Sequence, residues 1–477
     1  MAASPHNVYL AADFGGGSGR VIAGWLEEGC LIMKEIHRFS NRQVKLGNHV
    51  YWDFPALFED MKEGFRRAAQ QGFSVRSVGI DTWGVDFGLL DKDGNLIGNP
   101  VCYRDPRTAG MPEKFFSHVD ATTHYARTGI QVMDINTLFQ LLSLKENDSD
   151  QLRIANRLLF MPDLFSYFLT GVANNEYCIA STSELMDAEK RSWSWETIRE
   201  AGLSEHIFGD IIQPGTVRGC LKADIAKETG LSDVKVVAAG SHDTASAVAA
   251  VPATGEGPVA FLSPGTWSLL GVELPSPILS EKARTGQFTN EGGVGGRIRF
   301  LQNITGLWIL QRLMAEWKSR GEEQTYDLIL PAADEAQIDS IIAVDAPEFM
   351  NPENMEQAIA DHCRRQGLRV PADKAETVRC VLQSLAQKYK EAVGTLNQLL
   401  PTPLKQLHII GGGSQNRLLN QLTADALGIP VAAGPVEATA MGNILVQAMA
   451  MGEVDSLEHL RAIVSRSVTP EFFYPKS

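Results

Sequence analysis

The chain opens with three short apolar runs followed by an amphipathic segment. The runs are typical of buried β-strands, and they comprise Val8–Ala12, Val21–Leu26 and Leu31–Phe39. Asp53 suits the N-cap of a helix and Pro55 its first turn. Apolar side chains then recur at helical spacing, at Phe54, Leu57, Phe58, Met61, Phe65 and Ala68. A further apolar run, Val75–Asp81, completes a predicted order of β-β-β-α-β.

The second half of the chain repeats this order. Strand-like runs at Val259–Leu262, Trp267–Leu274 and Arg297–Leu301 precede a helical pattern over Gly306–Trp317. Further helices are predicted over residues 373–399, 414–427 and 438–451, with a strand at 407–410. Proline and glycine interrupt the pattern at Val251–Gly257, so we predict two domains, residues 1–250 and 251–477.

The repeated order predicts an α/β fold with an internal duplication. It resembles the ribonuclease-H-like duplication that actin, the heat-shock ATPases and the sugar kinases share. Those proteins bind ATP in the cleft between two lobes. The resemblance therefore implies a two-lobed, actin-like ATPase fold with an interlobe cleft, in which the N-terminal lobe binds sugar and the C-terminal lobe binds nucleotide.

Three glycine-containing segments are suited to phosphate binding. We call Asp13–Arg20 the first turn, Ser263–Thr266 the second turn and Gly411–Gly413 the glycine run. Backbone N–H groups in such segments approach phosphate closely, because glycine has no Cβ. The glycine run also precedes a predicted helix, whose N-terminus favours phosphate or a packed adenosine.

The first turn differs from two common nucleotide motifs. It lies between two strands and carries Arg20 where a dinucleotide fingerprint has its last glycine. It also lacks the Lys-Ser/Thr end of a Walker A loop. A simple glycine hairpin is therefore the alternative, but Asp13 beside the turn is well placed to hold Mg²⁺, directly or through water.

Charge and cysteine content narrow the class of partner. With 43 Lys and Arg against 57 Asp and Glu, the net charge of -14 argues against nucleic acid or an anionic membrane as the main partner. The six cysteines show no metal-ligand spacing, so we expect cytosolic thiols and no zinc site. Residues Met1–Asn7 do not resemble a signal peptide, and no apolar run approaches ~18 residues. We expect a cytoplasmic protein, either a monomer or a homodimer.

The segment Gly240–Thr244, here called the Asp243 segment, follows an apolar run and precedes a helix of small residues. Asp243 has two interpretations. It is suited to the N-cap of that helix. It is also suited to accept a proton from a sugar hydroxyl as that oxygen attacks phosphorus, and small residues nearby would allow close approach of a substrate.

The residues Thr82–Phe87, here called the Trp83 loop, follow the predicted strand Val75–Asp81. One interpretation is a tight turn with a core tryptophan. The other is a sugar pocket, in which Gly84 approaches hydroxyls and the indole of Trp83 lies beside the C–H face of the sugar. Asn303 is suited either to a helix cap or to a sugar hydroxyl, Gln311 to a nucleotide, and Thr266 to the γ-phosphate.

Several strings resemble the FGGY carbohydrate kinases, from about Val8 to Gly452. They are Ala12-Asp13-Phe14-Gly15, Ser18-Gly19-Arg20, Gly79-Ile80-Asp81-Thr82-Trp83-Gly84-Val85-Asp86-Phe87, Tyr103-Arg104-Asp105, Met161-Pro162-Asp163, Ser241-His242-Asp243-Thr244-Ala245-Ser246-Ala247, Gly265-Thr266-Trp267-Ser268, Thr289-Asn290-Glu291-Gly292-Gly293 and Gly434-Pro435-Val436-Glu437-Ala438. The third and sixth strings are typical of the branch that acts on L-rhamnulose.

The resemblance implies Mg²⁺-dependent transfer of the ATP γ-phosphate to the 1-hydroxyl of L-rhamnulose, in L-rhamnose breakdown. Asp243 would be the proton acceptor and Asp13 would hold the metal. The residues that would contact the sugar, together with Trp83, are Gly84, His242, Asp243, Thr244 and Asn303. Those that would contact ATP are Gly15, Gly16, Gly17, Ser18, Gly19, Thr266, Gln311 and Gly412.

Two details of the resemblance concern side chains. Family members can carry a cysteine pair at the spacing of Cys363 and Cys380, so the resemblance is compatible with a disulfide there. Gly16 and Gly17 stand where relatives often have Ala-Ser. That difference removes a hydroxyl contact to phosphate and leaves the amide contacts in place.

Three hypotheses remain open at this point. The first is a kinase for L-rhamnulose, and the second is a kinase of the same fold for another deoxyketose such as L-fuculose. The third is a non-enzymatic, actin-like nucleotide-binding protein. The third predicts no base facing a cleft, and Asp243 with the candidate sugar contacts Trp83 and Asn303 argues against it.

Overall fold

The structure, a computed structural model, describes residues 6–252, 257–350 and 352–476. The chain divides into two compact units. The first comprises Met1–Thr254, Glu273–Phe300 and Ala438–Val468, and the second comprises Gly255–Val272, Leu301–Glu437 and Thr469–Ser477. The predicted polar start at residues 1–7 and the predicted break at 251–257 lie partly outside the described residues. Each unit is made of three separate segments of the chain. The domain boundary at residue 250 therefore stays a prediction.

A six-stranded mixed sheet forms the centre of the first unit. Its strands, in spatial order, are Val217–Cys220, Lys235–Val237, Val75–Thr82, Val8–Phe14, Ser18–Glu27 and Cys30–Ser40. Val8–Phe14 pairs antiparallel with Ser18–Glu27 and parallel with Val75–Thr82. Val8–Phe14 is buried along its whole length, as its continuous apolar run predicts for a strand in the middle of a sheet.

The helix Phe54–Gln70 covers one face of this sheet. The Asp53 side chain accepts a hydrogen bond from the Ala56 amide at 3.3 Å, and proline lies in the first turn, so the predicted cap is confirmed. Its apolar side chains, Met61 and Phe65 among them, join a core with Leu10 and Val78 of the sheet. The apolar side chains that recur at helical spacing therefore form the buried face of this helix.

Smaller elements complete the first unit. The paired short strands are Gln43–Leu46 with His49–Trp52, Phe87–Leu90 with Arg157–Phe160, Asn175–Glu176 with Ile211–Ile212, and Met186–Asp187 with Ser192–Trp193. Thr289–Gly292 lies next to the strand Ile298–Thr305. The remaining helices are Met111–Phe116, Ala121–Thr128, Thr137–Glu146, Asp150–Ile154, Met161–Thr170, Tyr177–Ala180, Trp195–Glu200, Ala223–Thr229, Asp243–Ala249, Glu281–Thr285, Ala438–Ala450 and Leu457–Ser467.

The second unit is also built on a mixed sheet. Its strands, in spatial order, are Ile298–Thr305, Trp267–Leu274, Val259–Pro264, Leu407–Ile409, Val431–Ala433 and Glu471–Phe473. Its helices are Trp308–Ser319, Tyr326–Glu335, Met355–Gln366, Lys374–Asn397 and Arg417–Leu427. The last helix begins three residues later than predicted, because residues 412–415 form a 3₁₀ turn and the Asn416 side chain caps the helix at the Leu419 amide, 3.0 Å away.

The two cysteines that the family resemblance paired are not bonded in the structure. Cys363 on the helix Met355–Gln366 and Cys380 on the helix Lys374–Asn397 are both buried, free thiols. Burial raises the pKa of Cys380 to about 12. The structure therefore has two free thiols where the resemblance allowed a disulfide. Among the described residues no helix is both long enough and apolar enough to cross a membrane.

Candidate active site

Asp13 lies at the end of the central strand of the first unit, opposite an ionisable residue on each neighbouring strand. It faces Arg20 in the antiparallel pairing and Asp81 in the parallel pairing. Arg20 Nη2 donates to Asp13 Oδ2 at 2.6 Å. Burial raises the pKa of Asp81 well above its usual range, and the negative charge of Asp13 raises it further, while a hydrogen bond from Asn443 opposes the shift. The raised pKa of Asp81 favours its protonated form beside Asp13.

The surroundings of Asp13 fit a magnesium ion held mainly by other ligands. No group of three or more His, Cys, Asp or Glu side chains suited to a metal occurs in the part of the chain that the structure describes. Mg²⁺ in proteins commonly uses one or two carboxylates together with water and substrate phosphates. A single carboxylate beside a glycine turn that is predicted to bind phosphate matches that pattern.

The first turn has room for side chains at two of its glycines. Gly15 N donates to Ser18 O at 2.9 Å, and Asn41 Nδ2 donates to Gly15 O at 2.8 Å. A Cβ on Gly16 or Gly17 would meet nothing within 4 Å, whereas a Cβ on Gly19 would lie 2.2 Å from the Phe39 ring. Glycine is required for packing at Gly19. The Ala-Ser pair of relatives would fit at the other two positions.

The Asp243 segment runs beside the Trp83 loop. Thr82 N donates to Ser241 O at 3.0 Å, and Thr82 forms a parallel bridge with His242. A Cβ on Gly84 would lie 3.4 Å from His242 Nε2. Gly84, His242 and Asp243, all predicted to contact sugar, therefore lie together in the first unit.

The helix-cap interpretation of Asp243 is wrong in the structure. His242 occupies the N-cap of the helix Asp243–Ala249, and no side chain caps that end. The hydrogen bonds that Asp243 accepts from described residues come from Thr244, whose N and Oγ1 lie 2.5 and 3.0 Å from Oδ1. Both reach the same carboxylate oxygen, which leaves Oδ2 available to a ligand.

The electrostatic surroundings of Asp243 favour proton uptake. The side chain is 31% exposed, so a ligand can reach it. Partial burial raises the pKa of Asp243, and the charge of Asp13 raises it further. His242 and the hydrogen bonds from Thr244 lower this pKa. The net pKa lies above the ordinary value. A carboxylate with a raised pKa is a better general base than an ordinary one.

The Trp83 loop contains a strained three-residue turn. Val85 has φ 64°, a left-handed conformation that is rare for a β-branched residue. Asp86 N donates to Gly84 O at 2.9 Å across it. Val85 N donates to Thr182 Oγ1 at 3.1 Å, and Val85 O accepts from Thr137 Oγ1 at 2.6 Å. Such strain costs ~1–3 kcal/mol and persists where the surroundings hold it, often at functional sites.

Asp86 is a buried carboxylate that fixes this loop, and the sequence analysis did not select it. Its Oδ2 accepts from Trp52 Nε1 at 2.6 Å, Trp83 Nε1 at 2.9 Å and Tyr103 N at 3.1 Å, and its Oδ1 accepts from Gln140 Nε2 at 3.0 Å. Burial raises its pKa to about 6, although these donors oppose the shift. The signal in the sequence that could have identified Asp86 is an acidic residue directly after Trp83-Gly84-Val85.

Trp83 is a core tryptophan, as the structural interpretation of the loop predicted. It is 6% exposed, and its ring packs against that of Trp52 at a centroid distance of 4.2 Å. Only a small edge of the indole remains for a sugar, so its contact with sugar stays a prediction. Two further charged residues that the sequence analysis did not select, Glu291 and Arg299, lie against the ring of His242.

In the second unit two predicted nucleotide contacts, Thr266 and Gln311, meet through their side chains, and the turns around them pack through the main chain. Thr266 Oγ1 donates to Gln311 Oε1 at 3.2 Å, and Leu307 N donates to Gly265 O at 2.7 Å. A Cβ on Gly413 would lie 2.0 Å from Pro264 O, so the glycine run packs directly on the second turn. Asn303 is half-buried on the strand Ile298–Thr305.

Two family models together cover most of the chain. Residues 8–250 match the N-terminal domain of the FGGY family of carbohydrate kinases, and residues 260–451 match its C-terminal domain. The chain belongs to this family. It is therefore a carbohydrate kinase by descent, and the third hypothesis, a non-enzymatic nucleotide-binding protein, is set aside.

Curated relatives extend over nearly the whole chain. A protein named rhamnulokinase from Bacteroides thetaiotaomicron is 46% identical over 98% of this chain and 96% of its own length. Rhamnulokinases from Oceanobacillus iheyensis and Pectobacterium carotovorum are 40% and 42% identical, over 96% and 98% of this chain and 96% and 93% of their own lengths.

Solved structures of sugar kinases share the fold. A gluconate kinase from Lactobacillus acidophilus aligns with a TM-score of 0.81 at 15% identity, covering 99% of this chain and 94% of its own. A glycerol kinase from Plasmodium falciparum, solved with ADP, aligns with a TM-score of 0.78 at 15% identity and the same coverage. At this identity the likeness concerns the fold alone, and it confirms the predicted α/β kinase architecture.

Proposed function

We propose that this kinase transfers the γ-phosphate of ATP to the 1-hydroxyl of L-rhamnulose, giving L-rhamnulose 1-phosphate and ADP. The observation that carries the proposal is the geometry of Asp243, a part-exposed carboxylate with a raised pKa whose Oδ2 is left available beside His242 and Gly84. The names of the 40–46% identical relatives support the choice of sugar.

Asp243 would act as general base. Its Oδ2 accepts the proton of the 1-hydroxyl as that oxygen bonds to the γ-phosphorus, and the bond between the γ-phosphorus and the bridging oxygen breaks to release ADP. Proton transfer of this kind contributes ~10²–10⁴-fold. Most of the remaining catalysis in phosphoryl transfer comes from positioning and charge stabilisation.

The nucleotide side of the proposal rests on backbone groups and one carboxylate. Asp13 would hold Mg²⁺, which neutralises phosphate charge when bound. The first turn, residues 15–19, would donate amides to phosphate, and Thr266, Gln311 and Gly412 would contact ATP. The room at Gly16 and Gly17 would let the phosphates approach the backbone closely.

The sugar would contact Gly84, His242, Thr244 and Asn303, with a minor contribution from Trp83. The loop that carries Gly84 is held in one conformation by the four donors to Asp86. A fixed loop lowers the entropy lost on binding.

We also propose a setting for the enzyme. It would act in the cytoplasm in L-rhamnose breakdown, as a monomer or homodimer, with no nucleic acid as partner. The net charge of -14 supports the last point, since an acidic protein repels polyanions.

A coupled ADP-release assay tests the proposal. Mg-ATP is supplied with L-rhamnulose, L-fuculose, D-xylulose or glycerol, and kcat/KM is measured for each. We expect L-rhamnulose to exceed the others at least ~10-fold. A higher kcat/KM for L-fuculose would leave the role of Asp243 as base intact and would overturn L-rhamnulose as the substrate. No turnover of any sugar would overturn the kinase assignment.

A further inference from the structure

The imidazole of His242 lies between charged groups on both sides. Its Nδ1 is 3.1 Å from Arg299 Nη2 and 3.3 Å from Glu291 Oε2. Its Nε2 is 3.4 Å from Asp243 Oδ1 and faces Gly84. Each ring nitrogen thus has a separate set of partners, and those partners decide which nitrogen carries the proton.

Arg299 is held rigidly where it meets the ring. The residue is fully buried, its Nε donates to Gly292 O at 2.8 Å, and its Nη2 lies 3.0 Å from Glu291 Oε2. Gly292 is itself fixed, because its N donates to Ser181 Oγ at 2.7 Å. The guanidinium therefore cannot turn away from the imidazole without breaking buried contacts.

Glu291 keeps its negative charge in this buried position. Burial alone would raise its pKa, but the charge of Arg299 opposes burial, and the pKa lies below its ordinary value. Arg299 and Glu291 therefore form a buried ion pair beside the ring of His242.

The hydrogen-bond roles then follow from chemistry. Two opposite partners face Nδ1: Arg299 Nη2, which can only donate, at 3.1 Å, and Glu291 Oε2, which can only accept, at 3.3 Å. The shorter contact, from Arg299, makes Nδ1 the acceptor and leaves the single ring proton on Nε2. We infer that Arg299 and Glu291 are positioning residues that hold His242 as the neutral Nε2–H tautomer, with that N–H directed at Asp243 Oδ1. The inference rests on the proposed role of Asp243 as base.

This tautomer complements the other contacts of Asp243. The Thr244 amide and hydroxyl already reach Oδ1, and Nε2–H would be a third donor to the same oxygen. The distance of 3.4 Å is long, but catalytic hydrogen bonds commonly shorten when substrate binds. Three donors on Oδ1 would orient the carboxylate with Oδ2 towards the sugar hydroxyl. The opposite tautomer would instead point a lone pair at the carboxylate.

The protonation of His242 can be read directly in the full-length protein. The chain has 10 histidines, so ¹⁵N-histidine labelling with His242→Asn as the assignment control isolates this ring. We expect ¹⁵N NMR to show a proton on Nε2 and none on Nδ1. A proton on Nδ1, alone or in addition, would overturn the inference. The result does not depend on which sugar the enzyme phosphorylates.

A matched pair of double variants tests the consequence. Arg299→Met with Glu291→Gln removes both charges together, so no buried charge is left unpaired. We expect the preference for Nε2–H to be lost and kcat to fall about tenfold, with KM for ATP unchanged. Arg299→Lys, which keeps a positive donor, should retain most of the tautomer preference and activity.

The control removes another buried ion pair of the first unit, Arg461 with Glu273, whose charged atoms lie 2.8 Å apart. Arg461→Met with Glu273→Gln should leave the His242 tautomer unchanged. Equal loss of kcat in both double variants without a change of tautomer would show that the Arg299 pair is merely structural. The kinetic measurement uses L-rhamnulose or whichever sugar the substrate assay selects, so a wrong sugar and a wrong tautomer give different results.

Discussion

The candidate sites of the two units are built from different materials. In the first unit the groups that meet are ionisable side chains, with Asp81, whose pKa is raised, beside Asp13 and the His242 ring between Arg299 and Asp243. In the second unit they are turns of the main chain, where the glycine run packs on Pro264. Charge can be tuned by neighbours and can move protons, whereas packed backbone fixes position and does not titrate. If the proposed roles hold, the first unit supplies the ionisable groups for the chemistry and the second supplies a packed backbone surface for binding.

The largest expected effect comes from removing the proposed base, Asp243, from the first unit. We expect Asp243→Asn to lower kcat by at least ~10², because the amide cannot accept the hydroxyl proton. ATP binding, followed by a fluorescent nucleotide analogue, should be retained. Near-normal turnover would show that the first unit does not supply the base.

A second test concerns the buried carboxylate of the Trp83 loop. Asp86→Ala would leave four donors, two of them indole N–H groups, without their acceptor, and we expect it to cost about 2 kcal/mol in urea unfolding. Asp91→Ala is the matched control, because Asp91 accepts three hydrogen bonds in an exposed turn and should cost less than about 1 kcal/mol. Equal losses would mean that burial of the carboxylate does not matter.

The pH dependence of kcat/KM sharpens the electrostatic half of the comparison. The pKa of Asp243 is raised, and the base must be deprotonated to act, so kcat/KM should fall as the pH drops through that pKa. The fall should approach tenfold per pH unit and begin above the ordinary value of ~3.9. An acid limb at or below ~3.9 would contradict the shift.

A backbone test follows in the second unit. Gly413→Ala should destabilise the protein by about 1 kcal/mol or more, because its Cβ would lie 2.0 Å from Pro264 O. Gly412→Ala is the control, since a Cβ there meets nothing within 4 Å. Thermal unfolding should separate the two variants. We expect Gly412→Ala to keep its Tm and to change only KM for ATP; if both keep their Tm, the packing argument fails.

The smallest expected effect is at Gly17, where a side chain has open space. Gly17→Ser should keep the Tm and lower KM for ATP about two- to tenfold, because a solvent-exposed hydrogen bond contributes ~0.5–1.5 kcal/mol. Gly17→Ala supplies the same Cβ without the hydroxyl. Identical values of KM for the two variants would show that no such contact forms.

The local parts of the fold and site could be predicted from the sequence. Apolar runs predicted the strands, Asp53 predicted a helix start, and the Asp243 segment followed a strand. These features depend on neighbours within a few residues. The family resemblance was also confirmed, over both matched domains.

The rest depends on contacts between residues that are far apart in the chain. Asp81 meets Asp13 through strand register, and Arg299 meets His242 from 57 residues away. Both contacts depend on strand pairing and tertiary packing, which patterns within a few residues do not determine. One interpretation of the Trp83 loop predicted that the indole contacts sugar. The burial of Trp83 depends on packing against Trp52, which only the tertiary structure determines.

The helix Ala438–Ala450 places its polar side chains inside the first unit. Asn443 Nδ2 donates to Asp81 Oδ2 at 2.5 Å, and Gln447 joins Ser77 to the backbone of Leu10. On a ribosome this helix is made only after most of the second unit, so its hydrogen bonds to Asp81 and Ser77 cannot form before then. The packing of the first unit is therefore completed only once residues 438–450 have been synthesised.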